Sequence, residues 1–497
     1  MLRPDRISKI KEKINSFAIL GLRGANPIPS ERPSSTTFVP QQNISNMTEK
    51  PPAANREIWL DGLRGVAALI VAFFHLTTGS LNTPYRSFWD SPASENRHLI
   101  QIAPFRVVIA GQAMVDIFFV ASGYSISTGL IKLRSEGSVA EFYRKLTSSV
   151  IRRMFRLCFP VAVMMGISHV LFYAGTYNLE FGEGQGCPGA VPWGNPIPHV
   201  QCIVRSFVSV VNLQSGQELT LNNHLWTIPV EIRGSMKVYL ALLGLATVSD
   251  MARLLAVGLL AVRSWWNGEP EFLAFFTGLL FAELNASASR KLSHLQLLSP
   301  LALQDPTNPT LSKATWTRLT TFARYYVFAL GLYLLCLPVP VWHEGATTPT
   351  FSPDWFFLSV LPPLPWWDWE IKMRTWHTIG AILAINSMRS LPRLRAPFET
   401  RIAQFLGFIS FSLYLCHQTV YRIMLNRVLN WTSLGISGIN YWEAKDSARN
   451  GIVFVAWVVA TGVIGTVLML GSKCMARTVD QRSVSIGFWV EKVLCRL

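Results

Sequence analysis

Charge is scarce in this chain: Asp, Glu, Lys and Arg make up 15% of its 497 residues, and mean hydropathy is +0.29. That composition excludes a string of soluble domains. Several other signals are missing. No CxxC pair and no Cys/His cluster suggests zinc. No nucleophile elbow surrounds any serine, no internal repeat is visible, and the N-terminus MLRPDRISKIKEKINSF lacks the apolar core of a signal peptide. The formal charge of +16 comes without a basic stripe interleaved with aromatics, so nucleic acid is not an expected partner.

What is present is a series of nearly wholly apolar windows about twenty residues long, the mark of a polytopic membrane protein. The expected fold is all-α, a transmembrane helix bundle of about ten spans, near 58–79, 103–131, 154–175, 224–246, 252–267, 271–286, 322–340, 374–390, 402–426 and 451–471. The fifth and sixth are short enough for a re-entrant pair. Most of the 45 Lys and Arg fall in or beside 1–57, 132–153, 287–321, 391–401 and 472–497, which places those segments and both termini in the cytosol. The expected division is a flexible basic tail over 1–57, a membrane domain over 58–471 and a second cytosolic tail over 472–497. In the first tail, Ile7, Ile10, Ile14 and Phe17 fit either a helix on an anionic membrane surface or a disordered basic segment. Segments 80–102, 176–223, 341–373 and 427–450 then face the far side. Cys187 and Cys202 flank a Gly/Pro-rich stretch there and would pair in an oxidising compartment. The sequon at Asn430 lies on that side but close to a helix end; those at Asn43 and Asn46 would be cytosolic and silent.

Within the spans, ionisable residues stand out, because each costs ~2.5–3.5 kcal/mol near a bilayer centre. The first span, WLDGLRGVAALIVAFFHLTT, holds Asp61, Arg64 and His75. Arg64 and His75 share one face about three turns apart, roughly 16 Å along the axis. That stripe faces a cavity and not lipid. An imidazole there suits a base for activating a hydroxyl. QAMVDIFFVASGYSIS supplies a buried carboxylate, Asp116, and a close-packing Ser122-Gly123 pair. In SVIRRMFRLCFP, Arg152, Arg153 and Arg156 are expected from topology alone, yet Arg153 and Arg156 share a face and also suit a phosphate site. NHLWTIPVEIRGSMKVYL puts His224 and Glu231 on one face, followed by Arg233 and Lys237, with Pro229 a candidate kink. Ser410, Tyr414 and His417 share a face in FLGFISFSLYLCHQTV; His169 and His377 have no such company and read as structural.

Taken in order, these stretches resemble the acyltransferase 3 family of integral membrane acyltransferases. LDGLRGVAALIVAFFH matches its Arg-x10-His pattern, VDIFFVASGYSIS its DxFFvlSGf segment and RRMFRLCFP its Arg-x-x-Arg motif. HLWTIPVEI is similar to LWSLxvE and GFISFSLYLCH to iSYslYLxH, with TIPVEIRGS looking like the fungal branch. Ala121, Tyr124 and Phe411 depart mildly from the pattern. The resemblance covers about 56–426 and implies transfer of an acyl group, expected to be acetyl, from acyl-CoA to a hydroxyl, with Arg64 and His75 essential. On this reading Arg153 and Arg156 hold the donor phosphates and Arg64 orients the donor or its thioester. His75 acts as general base, while Glu231 and Asp116 set the protonation state or orientation of His75 and Arg64. The thioester drives transfer, so no metal is required. The expected partners are the bilayer, acyl-CoA and a small-molecule or glycan hydroxyl; the expected location is the endoplasmic reticulum or another endomembrane. A polytopic transporter, a non-catalytic membrane protein of the same fold and an acyl-His relay are the alternatives.

Overall fold

An apolar run without proline from Ile58 to Ser80 forms helix α1, with Asp61 in its first turn, where a carboxylate meets the positive end of the helix dipole. The computed structural model describes residues 57–495 except 82–85, 94–95, 136, 138, 179–186, 213–219, 299–310, 341–346, 348 and 362–367. The N-terminal residues expected to form a basic tail, with Asn43 and Asn46, lie outside the described residues. After α1 come α2 (Gly111–Ser135), α3 (Val139–Tyr173), α4 (Ile197–Val211), α5 (Thr227–Gly244), α6 (Asp250–Trp266) and α7 (Pro270–Leu298). Then follow α8 (Leu311–Leu335), α9 (Trp369–Ser390), α10 (Arg401–Ser437), α11 (Asn450–Met475) and α12 (Gln481–Cys495). Among the described residues the architecture is all-α.

By length and composition, five stretches among the described residues are apolar enough to cross a membrane: Ile58–Thr78, Gly111–Ser135, Val139–Tyr173, Pro270–Arg290 and Asn450–Cys495. The other expected spans are largely helical but shorter or more polar, and the helix expected over 322–340 ends at Leu335.

Several boundaries differ from expectation. The second span starts at Gly111 and not at 103, because Leu99–Gln101 and Phe105–Ile109 are 3-10 turns around Pro104. The stretch 176–223 contains α4, whose buried His199, Cys202, Ser206 and Val210 recur every three or four residues. The Gly/Pro run ahead of it hid this periodicity. Helix α10 continues through Asn430 to Ser437 before Gly438 ends it in the left-handed conformation, so part of 427–450 is helix and not loop. The amide of Asn430 donates to Asn426 Oδ1 at 3.1 Å. Pro229 does not kink its span: it lies in the first turn of α5, where its missing N–H costs nothing. The break falls upstream, in a 3-10 segment, Thr220–Trp226, with non-helical backbone at Asn222. Helices α6 and α7 pack along each other as a hairpin of 17 and 29 residues, and α7 runs well past the expected end at 286. Cys187 and Cys202 are bonded, their Cα atoms 6.0 Å apart.

Helix α1 lies between α2 and α10, and α2 also packs on α5, α7 and α9. Backbone contact explains the small residues at these crossings. A Cβ at Gly65 would sit 2.2 Å from Gly407 N, and one at Gly123 2.2 Å from Phe275 O. Two cores result. One joins α1, α2, α5, α6, α7 and α9, and the other joins the opposite face of α1 to α3, α5, α10 and α11. Helix α12 folds back on α3 through Arg152, which meets Glu491 at 3.4 Å and lies 4.6 Å over the Phe488 ring.

Candidate active site

Where the two cores meet, a pocket of about 530 Å³ opens between α1, α2, α3, α5 and α10. Val115, Phe118, Phe119, Leu157, Ile228 and Phe411 form its apolar wall, and Arg64, Ser122, Thr227, Glu231, Ser410 and Tyr414 its polar one. The lining matches a small-molecule site, mostly apolar with a few convergent polar groups. The Gly65–Gly407 approach sets α1 so that Arg64 meets this space and not lipid.

One wall of the pocket is ionic. Arg153 pairs with Glu231, and its Nε donates to Ser235 Oγ at 2.6 Å. Ser122 donates to the same Glu231 carboxylate at 2.5 Å, and Ser235 donates to the Glu231 carbonyl at 2.6 Å. The pair is largely buried, so each charge needs the other. Arg156 remains exposed, within electrostatic reach of Arg64, Arg153, Asp480 and Asp61. Asp480 reaches this neighbourhood because Ala476–Asp480 is a π-helical turn, and Ser412 donates to it at 2.9 Å. Three guanidinium groups thus gather against three carboxylates beside the pocket.

The other end of the site is built from neutral rings. His75 and His417 have centroids 5.2 Å apart, and His224 and His417 5.0 Å apart. His417 Nδ1 bonds the Tyr414 carbonyl at 2.6 Å, and His224 Nε2 the Leu415 carbonyl at 3.3 Å. His417 is 0% exposed and His224 7%, whereas His75 is only partly buried. Tyr414 stands between the halves. Its hydroxyl bonds Thr227 Oγ1 at 2.7 Å and donates to the His224 carbonyl, while its ring touches both His224 and His417.

The expected site residues therefore fall into three places. Arg64, Arg153, Arg156 and Glu231 gather at the pocket. His75 lies at the histidine cluster with His224 and His417, on the far side of Tyr414. Asp116 is buried apart from both, accepting from Thr378 at 2.8 Å, with Arg374 and Glu271 as its charged neighbours. His224 and Glu231 do not meet, because the break at Asn222 takes His224 off the α5 register. His169 lies 4.0 Å from the sulfur of Cys187, and His377 bonds the Leu337 carbonyl at 2.9 Å. Sequence reasoning missed the wall residues Thr227, Phe118 and Phe119, the Ser235 brace and Asp480.

Fold and pocket together fit a protein with several candidate membrane spans and a mostly apolar pocket into which a few polar groups converge. The acyltransferase-domain model of the acyltransferase 3 family matches residues 57–471. The chain belongs to that family and is a membrane acyltransferase. It is 27% identical over 416 residues to acyltransferase clz18 of Cochliobolus lunatus, covering 75% of this chain and 84% of that one. With O-acetyltransferase PaAT-1 of Phomopsis amygdali it shares 26% over 497 residues, covering 95% and 92%. With acyltransferase R4 of Phoma sp. it shares 25% over 482 residues, covering 88% and 98%. No solved structure matches.

Proposed function

We propose that this protein transfers an acetyl group from acetyl-CoA to the hydroxyl of a small, membrane-soluble acceptor, a secondary metabolite being the class favoured. The observation that carries this reading is a pocket lined by Arg64 and Glu231, with Arg153 and Arg156 beside it, and beyond Tyr414 a histidine cluster in which His75 alone is partly accessible. The O-acetyltransferase among its relatives supports the choice of acyl group and of an oxygen acceptor.

Arg156, with Arg153 beside it, holds the donor phosphates at the exposed mouth, and Arg64 orients the thioester. His75 Nε2 or Nδ1 takes the acceptor proton as the hydroxyl oxygen attacks the thioester carbon. The C–S bond then breaks, and the departing thiolate takes the proton from the imidazolium. Glu231 acts by fixing Arg153, whereas Asp116 acts at one remove by holding α2 against α9 through Thr378. Ten crossings with both termini cytosolic suit this arrangement, since the Arg-rich ends of α1 and α3 then meet cytosolic acetyl-CoA. The bonded Cys187–Cys202 pair supports an oxidising lumen on the other side, as in the endoplasmic reticulum or a related endomembrane.

The test uses membranes containing the full chain, radiolabelled acetyl-CoA and an organic extract of the source cells as acceptor. Alkali-labile label should enter the organic phase with wild type and not with His75→Ala. Transfer by well-folded His75→Ala would overturn the assignment of the base. Label retained on the wild-type protein without acceptor, and chased off by adding it, would replace direct transfer with an acyl-His relay.

A further inference from the structure

We infer that His417 is the positioning residue for His75, accepting a hydrogen bond from one nitrogen of that ring so that the other is held toward the acceptor hydroxyl. This rests on the reading of His75 as general base. The argument starts from the two buried members of the cluster. A carbonyl oxygen only accepts, so the 2.6 Å contact with Tyr414 O places the His417 hydrogen on Nδ1 and leaves Nε2 a bare lone pair. The same logic places the His224 hydrogen on Nε2, toward Leu415 O, and leaves its Nδ1 bare. Both bare nitrogens are buried and have no partner. Neither ring can donate to the other, because each has committed its single hydrogen to the backbone.

His75 is the one ring in the cluster with no such carbonyl among its recorded bonds, and its neighbour is His417. Two imidazoles joined nitrogen to nitrogen at about 3 Å have centroids roughly 5.2 Å apart, and the rings can turn about that bond. The His75–His417 pair shows 5.2 Å and 31°. A half-turn of the His75 ring, which exchanges nitrogen for carbon at nearly constant shape, brings an N–H against His417 Nε2. That bond selects the tautomer of His75, leaving its second nitrogen unprotonated on the accessible side. When His75 takes the acceptor proton, the bond to His417 also shares the new charge. The arrangement parallels the orienting partner of a catalytic histidine, with a neutral acceptor in place of a carboxylate.

The role depends on an acceptor at the reach of Nε2, which separates two conservative variants. The carbonyl of His417→Gln extends to that position; the carbonyl of His417→Asn stops near that of Nδ1. In the label-transfer assay, His417→Asn should lower kcat about 100-fold with the KM for acetyl-CoA within twofold, and His417→Gln should recover to within about tenfold of wild type. Equal losses in the two variants, with elution and melting like wild type, would overturn the inference. So would His417→Asn with wild-type kcat while His75→Ala is inactive, and that result would leave the base assignment standing. An active His75→Ala would instead remove the reading on which the inference rests. Both variants keep a small polar side chain in the same buried place, so a merely structural role predicts no difference between them.

Discussion

The two ends of the site solve the burial of polar groups in opposite ways. At the Arg64 end, charge is answered by charge: Glu231 takes Arg153, and Asp61 and Asp480 lie within reach of Arg156. At the His75 end the rings pack on one another, and the hydrogens of His417 and His224 go to main-chain carbonyls. The chemistry of the groups explains the difference. A largely buried guanidinium or carboxylate needs its opposite charge, whereas a buried neutral ring with a spare nitrogen is far cheaper than a charge. A buried ion pair holds structure together but resists changing its protonation. Neutral imidazoles can exchange a proton at modest cost, which is what activating a hydroxyl requires.

If that division is right, substitutions at the two ends should fail differently. The largest effect is expected for His75→Ala, with kcat reduced at least about 1,000-fold while melting stays close to wild type. Parallel loss of folded protein would place His75 in the structural half. Next, Glu231→Ala leaves the Arg153 guanidinium buried without its carboxylate and should cost about 3–5 kcal/mol of stability, read as a lower melting temperature in detergent. A neutral outcome there would break the comparison. Arg156→Ala should raise the KM for acetyl-CoA about tenfold and change kcat little, since Arg156 is exposed and not part of the tightest pair. An unchanged KM would leave Arg156 to topology alone. The smallest effect is expected for Tyr414→Phe, which removes the hydroxyl bonds to Thr227 and the His224 carbonyl at a cost of about 1 kcal/mol. A several-fold fall in kcat with unchanged donor KM would then mark Tyr414 as the boundary between the halves.

Some of this was legible before any coordinates. Arg64 and His75 announce themselves because a helix period and the cost of burying charge act locally, within one segment. The apolar spans are local in the same sense. Other readings failed where a nearby residue changed the backbone. His224 and Glu231 share a face only if the helix is continuous, and the non-helical backbone at Asn222 removes that condition. Asp480 enters the neighbourhood of Arg156 through a π-helical turn that no periodicity signals.

Composition, hydropathy and the spacing of a few ionisable residues determined that this chain is an all-α membrane protein, and the ordered motifs pointed to its family. Those properties follow from interactions between residues a few positions apart and the surrounding solvent. Only the tertiary structure decided which polar groups meet. Thr378 comes to Asp116 across 262 positions, and His224 lies against Leu415 across 191. Glycine contacts such as Gly65 on Gly407 set how closely the helices cross, and so which side chains share a pocket. A contact between distant segments depends on the crossing of two helices, and neither helix carries that angle in its own pattern.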